Sequence, residues 1–304
     1  MAARGRRIVT SIAFLGLGNM GGPMAANLVR AGHAVTGYDL APPAREAARA
    51  EGVAIAESAV AAAAEAEIVV TMLPAGRHVL GLLDEILPRV PAGALLIDCS
   101  TIDVESARAA HARAAERGLA SLDAPVSGGV GGARAGTLTF MAGGAPEAFA
   151  RAEPVLARMG RRIVHCGEAG AGQAAKICNN MILGISMIGV AEAFVLAEKL
   201  GLSHQALFDV ASTSSGQCWS LTSYCPVPGP VPASPANNAY RPGFAAALML
   251  KDLRLSQEAA ASTGAATPLG ARAEALYAAF EAAGEGGTDF SGIIRHLRAL
   301  TREA

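Results

Sequence analysis

Gly16, Gly18 and Gly21 stand in Gly-x-Gly-x-x-Gly spacing where an apolar run, residues 12–17, meets a helical pattern, residues 20–31. A strand that turns at once into a helix needs a residue without a Cβ at the turn. A second such residue is needed where the backbone must approach something closely, and a third where helix and strand press together. Asp39 follows the next apolar run, residues 34–38, and lies 18 residues after Gly21. Strand, glycine turn, helix, second strand and acid in this register form a dinucleotide-binding fingerprint. A pyrophosphate sits at the helix N-terminus, whose unpaired N–H groups and dipole favour an anion. Asn19 and Met20 belong to the same loop. A carboxylate at Asp39 accepts hydrogen bonds from an adenosine ribose and repels a 2′-phosphate, so the expected cofactor is NAD and not NADP.

The alternation continues beyond this unit. Apolar runs at residues 68–73, 95–98, 119–123, 137–141 and 163–165 are separated by glycine or proline breaks and by alanine-rich helical stretches such as 77–87 and 104–117. Strands apolar on both faces, alternating with helices, predict a parallel sheet covered on both sides. After Gly172 helical patterns take over, at residues 173–200, 203–212, 244–263, 268–282 and 289–300. The expected fold is α/β, with a Rossmann-type doubly wound domain over residues 1–166 and an all-helical domain over residues 167–304. A long interdomain helix, about residues 173–200, joins them. Residues 226–242 carry six prolines and read either as a surface loop or as a lid or pocket wall.

Composition narrows the function. A net charge of −1 with 17% charged residues argues against a phosphate-neutralising nucleic-acid face and against a polybasic membrane anchor. The apolar stretch 181–200 contains Glu192, Glu198 and Lys199 and reads as a buried helix, not a membrane span. Its apolar character invites a second copy, so a homodimer or homotetramer is expected. Five cysteines never spaced C-x-x-C, and histidines without ligand spacing, predict no disulfide framework and no metal. His33, His111, His204 and His296 read as ordinary surface residues. A basic segment at residues 1–7 runs directly into apolar sequence at Ile8, leaving no room for a signal peptide; a cytoplasmic protein is expected.

Among 25 basic residues only Lys176, Lys199 and Lys251 are lysine. Arginine cannot usefully deprotonate, so a lysine kept in such a chain is a candidate for a position where arginine would fail, or else a chance survivor on a solvated face. Lys176 and Asn180 lie four apart at the start of the long helix and share a face. An amine beside an amide can bind one oxygen and pass a proton to or from it; the plainer alternative is a capped, solvated first turn. Ser127, Gly128 and Gly129 follow another strand-like run, where a hydroxyl and unhindered N–H groups can cradle a small carboxylate or simply make a flexible turn.

These residues together resemble the β-hydroxyacid dehydrogenase family over nearly the whole chain. The resemblance rests on Gly16–Gly21, on the segments 123–129 and 172–180, and on Lys251-Asp252-Leu253. Within the family, residues 215–220, 224–229 and 235–238 resemble the branch acting on 3-hydroxyisobutyrate. The resemblance implies that Lys176 is the acid/base and Asn180 its partner on the substrate, with Ser127, Gly128 and Gly129 on the carboxylate. It places Leu73 and Pro74 along the nucleotide, Thr101 near the nicotinamide, and Lys251 at the cofactor. His78 stands where relatives often have asparagine, and it inherits no role. The implied reaction is NAD-dependent oxidation of (S)-3-hydroxyisobutyrate to methylmalonate semialdehyde, a step of valine degradation. Two alternatives are a reductase of tartronate, glyoxylate or succinic semialdehyde and a catalytically silent dinucleotide-binding scaffold; the retained Lys176 and Asn180 argue against the scaffold.

Overall fold

The computed structural model describes residues 9–303; the basic segment 1–7 lies outside the described residues. The chain divides into two compact units between Lys176 and Ile177. The first is built on β1 (Ser11–Leu15), β2 (Ala34–Tyr38), β3 (Ala54–Ile55), β4 (Ile68–Thr71), β5 (Leu95–Asp98), β6 (Ala120–Asp123), β7 (Val126–Ser127), β8 (Leu138–Gly143) and β9 (Gly160–Gly167). They form one sheet ordered β3-β2-β1-β4-β5-β6-β8-β7, with β9 paired to β8. Helices α1 (Gly21–Arg30), α2 (Pro42–Ala50), α3 (Ala59–Ala63), α4 (Gly76–Ile86), α5 (Val104–Glu116), α6 (Gly129–Ala135) and α7 (Pro146–Leu156) connect the strands.

Alternating side chains explain why both faces are covered. Ile12 and Phe14 enter one apolar cluster with Met24, Leu28, Val70 and Ile97, whereas Ala13 and Leu15 enter another with Val69, Val79 and Leu96. A two-residue period that is apolar in both phases needs a helix layer on each side. The expected parallel sheet is corrected in one respect: β1 to β6 are parallel, but β8 runs antiparallel to β6 and β7. The reversal follows from the short β7 and α6, which turn the chain back beside β6 with no crossover helix of ordinary length.

α8 (Ala171–Lys199) begins in the first unit and continues into the second. Its length and composition would suffice to cross a membrane, yet Met187, Ala191 and Phe194 are fully buried in the helical core. The second unit adds α9 (His204–Ala211), α10 (Trp219–Thr222), α11 (Ala246–Thr263), α12 (Pro268–Phe280) and α13 (Ile293–Glu303), with short 3-10 turns at Pro235–Asn238 and Phe290–Gly292. The proline-rich segment is not a loose surface loop. Cys225, Val227, Ala236 and Tyr240 join the core, Tyr240 Oη donates to Pro226 O at 2.7 Å, and Ser234 Oγ donates to Cys225 O at 2.6 Å.

Candidate active site

The loops that follow β1, β2, β4 and β5 leave the sheet at the carboxyl ends of its parallel strands, where ligands of open α/β sheets bind. In the first loop a Cβ at Gly16 would strike Met72 O, and one at Gly21 would strike Gly16 O. Gly16 also holds φ at +97°, a conformation only glycine adopts freely. At Gly18 a Cβ would meet nothing within 4 Å, and Gly18 and Asn19 are exposed. The first and third glycines thus serve packing, and the second leaves an open approach to the backbone. α1 opens with no side-chain cap from Met20 and no acid in its first turn, so nothing of the chain's own competes for an anion there. Asp39 Oδ2 accepts from Leu17 N at 2.7 Å and Oδ1 from Ala41 N at 2.8 Å, which fixes the glycine loop to the end of β2. These features fit a dinucleotide.

Further loops are tied in series. Leu73 N, after β4, donates to Ser100 Oγ at 2.8 Å, which joins the loop of Leu73 and exposed Pro74 to the loop of Thr101. Gln173, fully buried in the first turn of α8, accepts from Ile102 N at 3.1 Å through Oε1 and donates to Ser100 O at 2.7 Å through Nε2. Lys176, 6% exposed, follows three residues later. Ser127 ends β7, with Gly128 (φ +134°) and Gly129 (φ +60°) beyond it. In the second unit the Asn180 amide donates to the buried Asp252 carboxylate, next to Lys251 on α11. The expected site residues therefore divide between the units, with α8 carrying both Lys176 and Asn180.

Several polar residues escaped the sequence reading. His111 is not a surface residue: its imidazole is 15% exposed, 3.0 Å from Asp123 Oδ1 through Nε2 and 2.8 Å from Ser121 Oγ through Nδ1. Asp98, at the end of β5, accepts from Thr71 Oγ1 at 2.7 Å and Ser100 N at 3.1 Å, both on Oδ1. Its Oδ2 is buried with no hydrogen-bond partner among the described residues. Burial pushes this carboxyl up to about 6, against hydrogen bonds from Ser100 and Thr71 that pull it down. Asp98, Asp123, His111 and Ser121 line a cavity of about 20 Å³, room for one water. The partners of His111 lie 10 and 12 residues away, so local sequence carries no signal of them.

Residues 11–167 match the family described as the NAD binding domain of 6-phosphogluconate dehydrogenase. Residues 170–297 match the family described as NAD-binding of NADP-dependent 3-hydroxyisobutyrate dehydrogenase. Fold and loops together define a two-domain, NAD-binding dehydrogenase.

Among its relatives, the probable 3-hydroxyisobutyrate dehydrogenase of Mycobacterium tuberculosis is 57% identical over 96% of this chain and 99% of that protein. A solved structure described as Mycobacterium tuberculosis 3-hydroxyisobutyrate dehydrogenase + L-serine has a TM-score of 0.93 at 56% identity, covering 96% of this chain and all of that one (100%). The NAD-dependent L-serine dehydrogenase of Pseudomonas aeruginosa is 48% identical over 92% of this chain and 95% of that protein. The chain belongs to the 3-hydroxyisobutyrate dehydrogenase family.

Proposed function

We propose that the protein oxidises the primary alcohol of (S)-3-hydroxyisobutyrate to methylmalonate semialdehyde, a step of valine degradation, in the cytoplasm and as a homodimer or homotetramer. The observation that carries this reading is a buried lysine at position 176, one helical turn before a buried asparagine, in a chain closely related to enzymes of that name. NAD, when bound, supplies the hydride acceptor. Gly16, Gly18, Asn19, Met20, Gly21 and Asp39, with Leu73, Pro74, Thr101 and Lys251, are the residues assigned to hold it. Ser127 and the N–H groups of Gly128 and Gly129 hold the substrate carboxylate. Asn180 orients the hydroxyl oxygen, and the neutral Lys176 amine takes its proton, returning it when the reaction runs in reverse. Five free thiols accord with a reducing compartment, and Ile182 and Leu196, 65% and 60% exposed on α8, accord with self-association.

A second reading is L-serine, which shares the carboxylate and primary alcohol and carries an ammonium where 3-hydroxyisobutyrate carries a methyl. The L-serine dehydrogenase relative favours it. Methyl and ammonium are close in size but differ by a full charge, so kcat/KM for both acids, with NAD and with NADP, decides between them. Lys176→Ala is expected to lower kcat roughly 10²–10⁴-fold while NAD still binds. An ordinary lysine titrates near about 10.4, so oxidation by the parent protein should quicken with rising pH. Near-normal turnover in Lys176→Ala removes the lysine from the reaction. Asp39→Ser is expected to narrow the NAD preference about tenfold, read as the ratio of kcat/KM values for the two cofactors. An unchanged ratio would mean that the 2′-phosphate is excluded elsewhere.

A further inference from the structure

The first turn of α8 is bolted to the sheet by a carboxylate that belongs to another element. Asp123, 1% exposed at the end of β6, accepts from Gly170 N at 2.8 Å on Oδ1 and from Gln173 N at 2.9 Å on Oδ2. These are backbone donors that an α-helix leaves unpaired at its start, so Asp123 caps α8 from 47 and 50 residues away in sequence. His111 Nε2 meets the same Oδ1 at 3.0 Å, and Ser121 Oγ holds the other ring nitrogen of His111 at 2.8 Å.

The fit leaves no slack. A Cβ at Gly143 would lie 2.6 Å from Asp123 Oδ1 and 2.7 Å from Gly172 N, and one at Gly172 would collide with Met141 O. Glycine at both positions lets the helix start press directly on the strand ends. The Gln173 side chain then makes a second attachment, bonded at 3.1 Å and 2.7 Å to the residues that flank Thr101. Lys176 lies three residues on, on the same helical face as Gln173.

We propose that Asp123 and Gln173 are positioning residues: together they fix the register of Lys176 against the loop of Thr101, with His111 and Ser121 holding Asp123 in place. The proposal rests on the acid/base reading of Lys176. Misplacing a proton acceptor by about 1 Å can cost on the order of 10²-fold in rate, so a rigid anchor one turn before the lysine has a chemical use that packing alone does not require.

Gln173→Leu removes both side-chain bonds at nearly constant volume, and Asp123→Asn keeps one acceptor of two. Each is compared with the parent protein on whichever of (S)-3-hydroxyisobutyrate and L-serine turns over faster, and on the same acid deuterated at C3. The expected result for Gln173→Leu is a kcat about 10–100-fold lower, KM and the NAD dissociation constant within about threefold, and a larger deuterium isotope effect as hydride transfer becomes limiting. Asp123→Asn should show a smaller loss in the same pattern. Hydrogen exchange of the free protein should quicken about tenfold or more at residues 170–177 in both variants. A kcat that falls with an unchanged isotope effect signals fewer folded molecules and overturns the proposal, as does full kcat beside faster exchange. Should Gln173→Leu not fold, Asp123→Asn decides by the same criteria. Failure of the acid/base reading is seen separately, as turnover retained in Lys176→Ala.

Discussion

Each unit buries two aspartates, and one from each, Asp289 and Asp98, are served very differently. In the helical unit Asp289, with no exposed surface, accepts from Tyr224 Oη at 2.9 Å, Gly243 N at 2.9 Å and Phe244 N at 3.1 Å on Oδ2. Its Oδ1 accepts from Ser291 N at 3.0 Å and Ser291 Oγ at 2.6 Å. In the first unit Asp98 has donors on one oxygen alone. Burial costs a carboxylate its hydration in both places, and only Asp289 is given donors on both oxygens in exchange. Asp289 ties the segment before α11 to Tyr224 and to the turn before α13. Asp98 instead holds its proton more tightly than an exposed acid would, with burial as the first cause.

The largest test of this contrast is Asp289→Ala. It leaves three backbone N–H groups and two hydroxyls without their acceptor, and a loss of about 3–5 kcal/mol is expected from breaking so buried a network. Urea unfolding followed by calorimetry reads it; a midpoint equal to the parent's would show that the five donors find water at little cost.

Asp98→Asn should behave in the opposite way. The folded carboxyl titrates near 6 and the unfolded one near 3.8, so its contribution to stability is full below pH 3.8 and is lost as pH rises through 6. The difference in unfolding free energy between parent and variant is expected to change by roughly 3 kcal/mol across that window, in the direction that favours the variant at neutral pH. Asp123, which lines the same cavity, is present in both proteins, and its charge is the last and smallest of the causes that act on Asp98. A difference that is flat with pH would mean that Asp98 is ionised throughout and hydrated by water in the cavity.

What could be read in the sequence follows the same divide between local and distant partners. The glycine loop was legible because its constraints act on the backbone: a positive φ at Gly16 and a helix start packed against a strand leave glycine as the residue type at fixed spacing. Lys176 and Asn180 were legible because helical periodicity places them on one face. Both readings needed no knowledge of the fold beyond one element. β3 and β7 span two residues each, too short for an alternating pattern to register. The reversed direction of β8 depends on pairing with β6 and β7, which apolar content does not encode. Gln173, Asp123 and His111 were each in view, but their partners come from other strands and loops. Asp289 is a further case, with three of its donors 45, 46 and 65 residues away.

The smallest expected effect concerns one of those distant donors. Tyr224 is stacked between Trp219 and Phe290, with ring centroids at 4.8 Å and 5.3 Å, and Tyr224→Phe keeps both stacks while removing the hydroxyl on Asp289. Asp289 retains its other donors, so the carboxylate is not stranded, and the loss should be about 1.5 kcal/mol, the lower end for a hydrogen bond to a charged group. Burial, and then the charge of Asp289, push the tyrosine hydroxyl well above its ordinary range, so it remains a donor below pH 10. The cost of Tyr224→Phe should therefore be constant from about pH 5 to 9, where the Asp98→Asn difference is not. A Tyr224→Phe cost near zero would show that the hydroxyl adds nothing to the donors already on Asp289, and the contrast between a satisfied and a half-satisfied carboxylate would fail.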